Sequence, residues 1–238
     1  MKIFAIILTL LSIAACGKSQ PDKEVTNPVK NIPTDTSGKT LSYLALGDSY
    51  TIGEAVDADK NFPHQLVTSL KNYGITLKEP QIIARTGWTT DELISAIKQQ
   101  APAGKFDIVT LLIGVNNQYR GYYIDTYRTE FKALLNTAIS YANNNKAHVF
   151  VLSIPDYGVT PYAQNSDEEK IAREIDAYNV INKQEAEKSG VKYIEITPIS
   201  RKAANDAELI ANDGLHPSAK MYGEWVGLLA PAIVNGLK

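Results

Sequence analysis

Leu41-Ser42-Tyr43-Leu44-Ala45-Leu46-Gly47-Asp48-Ser49-Tyr50 is a short apolar, β-rich run that stops abruptly at a glycine and an aspartate. Runs of the same character recur at 81–84, 107–113, 148–154 and 191–196, with helical patterns at 62–73, 90–100, 123–143 and 167–189 between them. A last helix is expected from Pro217 to about Leu237, with Pro217 in its first turn. Strands alternating with helices predict an α/β domain: a mostly parallel sheet with helices on both faces, joined by right-handed crossovers. No internal repeat and no second domain boundary interrupts this punctuation.

Composition agrees with a folded enzyme-sized domain. The chain has 238 residues, 44% hydrophobic and 21% charged, which excludes a wholly disordered, collagen-like or multi-span membrane chain. With 24 basic and 26 acidic residues there is no electrostatic footprint for nucleic acid. One cysteine excludes an internal disulfide framework and a cysteine-rich zinc site. The three scattered histidines argue against a metal site, with His64 in a helical pattern and His148 opening a strand.

The first forty residues are different material. Met1-Lys2 followed by an apolar run to Ala15 is too short to span a bilayer comfortably and reads as a signal peptide, residues 1–15. Ile13-Ala14-Ala15-Cys16 resembles the lipobox of bacterial lipoproteins, which implies lipidation of Cys16; by the same resemblance Gly17 suits an outer-membrane destination. Residues 17–40 are rich in Lys, Asp, Thr, Ser, Asn and Pro without apolar period, and are expected to be a flexible tether holding the domain about 25–30 Å from its anchor. The expected organisation is signal peptide 1–15, lipidated cysteine and tether 16–40, and domain 41–238. Ser37-Gly38-Lys39-Thr40 lacks the upstream glycine and strand of a phosphate-binding loop.

In an open parallel sheet, ligands bind beyond the carboxyl ends of the strands. The loops expected there hold the chemically useful residues. Gly47-Asp48-Ser49-Tyr50 presents a hydroxyl just after a strand, near free backbone N–H groups. Asp213 lies three residues before His216, where a carboxylate can accept the ring Nδ1–H, fix the tautomer and leave the other nitrogen as a base. Gly114-Val115-Asn116-Asn117 offers an uncharged amide donor suited to a developing oxyanion. Thr86-Gly87-Trp88 offers a glycine N–H that a substrate can approach without side-chain interference. Each loop alone reads equally well as a turn or a helix cap; the four together at one sheet edge do not.

These four blocks, in this order, resemble the GDSL/SGNH hydrolase superfamily over essentially the whole domain. The resemblance implies a flavodoxin-like three-layer α/β/α sandwich with a five-stranded parallel sheet, and hydrolysis of carboxylic esters. It implies Ser49 as nucleophile, His216 as base, Asp213 as its orienting acid, and an oxyanion hole of the Ser49 and Gly87 N–H groups with the Asn116 side chain. It implies no metal or organic cofactor. Tyr50 stands where the family has leucine, Thr86 where a serine is frequent, and Asn117 where an aspartate is usual.

Candidates for the substrate rim are Tyr50, Asn117, Tyr119, Arg120 and Tyr157, joined by Tyr122, Tyr123 and Tyr162. Tyrosines suit sugar faces and acyl chains, and Arg120 suits an anionic head group. No long apolar insertion reads as a lid, which favours small acyl groups on an extracytoplasmic carbohydrate or small lipid ester. The expected partners are that ester and, through the anchor, a membrane of the bacterial cell envelope; neither nucleic acid nor an obligate protein partner is indicated. Two rival readings remain: a non-catalytic surface-binding lipoprotein on the same fold, and an acyltransferase using the same serine.

Overall fold

A computed structural model describes residues 38–238. Its sheet has five strands, β1 (Tyr43–Asp48), β2 (Gln81–Arg85), β3 (Ile108–Leu112), β4 (Val149–Leu152) and β5 (Lys192–Ile194), in the spatial order β2-β1-β3-β4-β5. Every pair is parallel. A separate two-residue pairing joins Thr40–Leu41 to Thr76–Leu77. Cys16, the signal-peptide expectation and nearly all of the tether expectation lie outside the described residues; Lys39 and Thr40, at the tether's end, are tied to Asp107 and Thr76.

The apolar runs form central strands because they are buried on both faces. Leu44, Ala45, Leu46, Val109, Leu111, Val149 and Val151 are fully enclosed, whereas the edge strands β2 and β5 alternate with exposed positions. Burial on this scale stabilises by about 1.5–3 kcal/mol per large aliphatic side chain.

The long helices are α2 (Phe62–Lys71), α3 (Thr90–Gln100), α5 (Ile124–Tyr141), α6 (Glu168–Ser189) and α8 (Ala219–Gly236). Three short ones intervene, α1 (Ser49–Ile52), α4 (Val115–Tyr119) and α7 (Thr197–Arg201). Side chains punctuate their starts: Asn61 caps α2, a Thr89/Glu92 capping box opens α3, Asp167 caps α6 and Ser218 caps α8.

Strand order fixes where a ligand can sit. The chain moves from β1 to the edge strand β2, then returns across β1 to β3 and continues the other way. With right-handed crossovers, α2 and α8 fall on one face and α3, α5 and α6 on the other. The packing agrees, α2 against α8 and α5 between α3 and α6. The change of direction opens a crevice between the carboxyl ends of β1 and β3, the topological switch point.

Three sequence expectations are corrected. Residues 49–52 and 115–119 are single helical turns rather than open loop. Pro217 is not in the first turn of α8; it pairs with Ile210 as an isolated bridge, because Ser218 takes the cap position with its hydroxyl on the Met221 N–H.

Candidate active site

Ser49 is placed by the sharp exit of β1. Gly47 is obligatory there: a Cβ would lie 2.1 Å from Thr51 Oγ1 and 2.4 Å from the Leu112 carbonyl oxygen. Only a bare backbone lets α1 fold back so tightly against β3. Asp48 then caps α1, its Oδ1 accepting the Tyr50 N–H at 3.0 Å. The Asp48 carboxyl is fully buried, and that desolvation pushes its pKa up to about 7 despite the backbone hydrogen bonds.

The opposite wall comes from the segment before α8. Asp213 Oδ1 accepts the backbone N–H groups of Leu215 and His216, both at 3.0 Å, and Asp213 Oδ2 pairs with His216 Nδ1 at 2.5 Å. Burial would raise the Asp213 carboxyl. The hydrogen bonds from the His216 ring and the two N–H groups outweigh it and hold the carboxyl below its ordinary value. The acid is therefore ionised at neutral pH, and Nδ1 of His216 carries the proton it accepts. Tyr50 packs edge-on against the His216 ring, centroids 5.6 Å apart, and against Trp225 behind it.

Ser49, Tyr50, Gly87, Asn116, Leu215 and His216 line one cavity of about 130 Å³, together with Thr86, Val115, Tyr119, Tyr157 and Tyr162. It lies at the switch point. Ser49 and His216 share its wall without a direct hydrogen bond between them, as nucleophile–base pairs often do in the absence of substrate. Gly87, with φ of +85°, occupies the third position of a turn closed by the Trp88 N–H on the Arg85 carbonyl at 3.2 Å. Its own N–H donates to no backbone group among the described residues. Asn116 Nδ2 donates to the Trp88 carbonyl at 3.0 Å, which settles which end of the amide carries hydrogens and leaves the second N–H free.

The outer wall is aromatic. The Tyr119 and Tyr162 hydroxyls meet at 2.9 Å, and the Tyr119 ring stands edge-on to Tyr157 at 6.1 Å. Tyr162 is fixed by its N–H on the Gly214 carbonyl, two residues from His216. Tyr157 sits in a loop anchored by buried Asp156, which accepts the Gly158 N–H and the Arg201 Nε–H. Tyr122 and Tyr123 are not in this wall; Tyr123 is almost fully exposed and Tyr122 gives its carbonyl to the Tyr178 hydroxyl.

Besides Tyr122 and Tyr123, two more rim expectations are corrected and one is modified. Asn117 is fully buried and faces away from the cavity. Its Oδ1 accepts the Thr90 N–H at 3.1 Å, and its Nδ2 donates to Thr90 Oγ1 at 2.7 Å. The Thr90 hydroxyl in turn donates to Glu130. Arg120 is absent from the cavity lining, because its guanidinium is spent on the Gly87 carbonyl and Glu92. Tyr50 is inner wall rather than rim, being almost wholly buried. The sequence missed Leu215 and Val115 as wall residues; their only signal was adjacency to His216 and Asn116.

Comparisons with known proteins bear on the fold and the family. Solved structures of similar fold include TesA (TM-score 0.63, 16% identity, covering 80% of this chain and 97% of that one). Axe2, an acetylxylan esterase from Geobacillus stearothermophilus, is similar at TM-score 0.62 and 20% identity, covering 85% and 96%. A lipase/acylhydrolase from Enterococcus faecalis is similar at TM-score 0.62 and 18% identity, covering 82% and 96%. No curated protein matches the chain in sequence. A family model described as the GDSL-like lipase/acylhydrolase family matches residues 45–223, three quarters of the chain and all four motif blocks. The chain therefore belongs to the GDSL-like lipase/acylhydrolase family, a family of carboxylic ester hydrolases with the SGNH fold.

Proposed function

We propose that the protein is a serine esterase for short acyl groups, acting through Ser49, His216 and Asp213. The observation that carries this reading is the ionised Asp213 on Nδ1 of His216, with Ser49, Gly87 and Asn116 in the wall of the same cavity. His216 Nε2 takes the Ser49 proton as Oγ bonds to the ester carbonyl carbon. The oxyanion is received by the Ser49 and Gly87 N–H groups and the free Asn116 amide hydrogen. The imidazolium protonates the departing alcohol, and water then repeats the sequence to release the acid and restore Ser49. No step needs a metal or cofactor.

Cavity size supports short acyl groups. An apolar cavity of about 150 Å³ is known to hold one benzene, so about 130 Å³ accommodates roughly six non-hydrogen atoms. The Tyr119–Tyr162 hydroxyl bridge limits extension, and the tyrosine faces suit a sugar ring on the alcohol side. An acylated carbohydrate is accordingly the favoured substrate, and a small lipid ester the next. The Cys16 lipid anchor would place the enzyme at the cell envelope, most simply on the outer membrane.

The test is an aryl-ester series from acetyl to decanoyl. Turnover should fall steeply beyond about six acyl carbons, and Tyr162→Ala should move that limit to longer chains. A wild-type preference for decanoyl esters contradicts the short-acyl reading.

A further inference from the structure

A second, smaller cavity of about 10 Å³ adjoins the catalytic one. Tyr50, Tyr157 and Leu215 line both, so these three side chains form the partition between them. Two of the three are locked. Tyr50 is almost wholly buried, wedged against the His216 ring and Trp225. Tyr157 is buried in a tight turn, its carbonyl accepting the Thr160 N–H at 3.0 Å and the Thr160 hydroxyl at 2.7 Å. Leu215 is the aliphatic member, half-buried and held only by packing.

Polar residues border the inner cavity, but their hydrogen bonds are already made. Asp156 accepts the Gly158 N–H and the Arg201 Nε–H. The Ser200 hydroxyl accepts the Asp156 N–H and donates to the Thr197 carbonyl, and the Thr160 hydroxyl is used on Tyr157. Ile210, Pro217 and Met221 supply hydrocarbon, and unbranched Met221 can change rotamer to admit more. Such a space suits an alkyl chain rather than a hydroxylated group. During turnover the alcohol departs first while the acyl group stays bonded to Ser49, so the open mouth suits the alcohol and the closed inner end the acyl group. The backbone around His216 does not depend on the Leu215 side chain: the Ala211 N–H holds the His216 carbonyl and the Ser218 N–H holds the Leu209 carbonyl, both at 2.8 Å.

We propose that Leu215 is a specificity-determining residue of the acyl site: its side chain stops the acyl chain at the partition, and the cavity behind it is the path along which the site lengthens. The inference rests on the esterase reading above and assigns the inner limit of acyl length to one side chain.

The test measures kcat/KM on the full chain for acetyl, hexanoyl and octanoyl aryl esters. Ratios taken within one variant cancel any general loss of activity. Leu215→Ala removes three side-chain carbons, and each methylene newly seated is worth roughly fourfold, so the octanoyl-to-acetyl ratio should rise by roughly tenfold or more. Leu215→Val should shift it in the same direction by less, and serves where the alanine variant does not fold. Leu215→Phe should lower the hexanoyl-to-acetyl ratio. Ile210→Phe fills the inner cavity from its far side, so adding it to Leu215→Ala should cancel most of the gain. Ratios within twofold of wild type in all three Leu215 variants overturn the proposal. So does a gain that Ile210→Phe leaves intact, because the chain would then run elsewhere. A wild-type chain that hydrolyses no ester, with Ser49 unreactive, defeats the esterase reading itself; a wild-type chain-length limit that the Leu215 variants leave in place defeats this proposal alone.

Discussion

Replacing Asn117 by aspartate changes one NH₂ group to oxygen and leaves the shape of a fully buried side chain intact. The native chain of hydrogen bonds runs in one direction, from Asn117 Nδ2 to Thr90 Oγ1 and from the Thr90 hydroxyl to Glu130. In the Asn117→Asp variant the Thr90 N–H still reaches Oδ1, but the other oxygen faces a hydroxyl whose single proton is already used. Two carboxylates then compete for one donor. A buried acceptor left without a partner costs about 1–3 kcal/mol, and partly exposed Glu130 can turn to water, so the lower half of that range is expected. For a domain of this size each kcal/mol lowers the thermal midpoint by roughly 2–4 °C. The defect should disappear in acid, where the introduced carboxyl, once protonated, can donate to Thr90 as the amide does. It should also be relieved by Glu130→Gln, whose amide can donate to Thr90 and release the hydroxyl for the new carboxylate. Urea unfolding of both single variants and the double variant would measure the coupling, expected at about 1 kcal/mol or more. Strictly additive effects, or an Asn117→Asp variant as stable as wild type at pH 8, would refute the hydrogen-bond polarity argued for this site.

Two further outcomes follow from the same structure. Asn116→Ala should lower kcat on short-chain esters by roughly 10²–10³-fold while KM stays near wild type, and an unchanged kcat would remove Asn116 from the oxyanion hole. Asp48, pushed up to about 7 by burial, holds a proton in the folded state that the unfolded chain releases near 3.8. Its contribution to stability is therefore fully present below about pH 4 and is lost as pH rises toward 7. Asp48→Asn keeps an acceptor for the Tyr50 N–H, so it should flatten this pH dependence and gain up to the order of 4 kcal/mol at neutral pH. A wild-type pH slope in the variant would show that Asp48 is not the group responsible.

The long elements were legible because their signals are local: period-2 or continuous apolar runs for strands, and 3.6-residue periods with side-chain caps for α3 and α6. The same holds for the Asp213–His216 pair, whose three-residue spacing closes a local loop. What escaped was set by tertiary contact. Four- and five-residue helices such as α1 and α4 carry no period, and they form because β1 and β3 end against each other at the switch point. Asn117 and Arg120 looked like rim residues by adjacency to Asn116. In a helical turn successive side chains diverge by about 100°, so Asn117 points at the start of α3, while Arg120, four residues on, returns to the Asn116 face. The departure from the family's aspartate at position 117 became intelligible only when Glu130 and Thr90, distant in sequence, were seen beside it.

The central claim is that Ser49 is the nucleophile activated by His216. The most direct test is to treat the chain with a fluorophosphonate and locate the adduct by peptide mass spectrometry. A single phosphonyl group on Ser49, formed slowly in His216→Ala and not at all in Ser49→Ala, is the expected result. Labelling at another residue, or labelling that persists unchanged in Ser49→Ala, would contradict it.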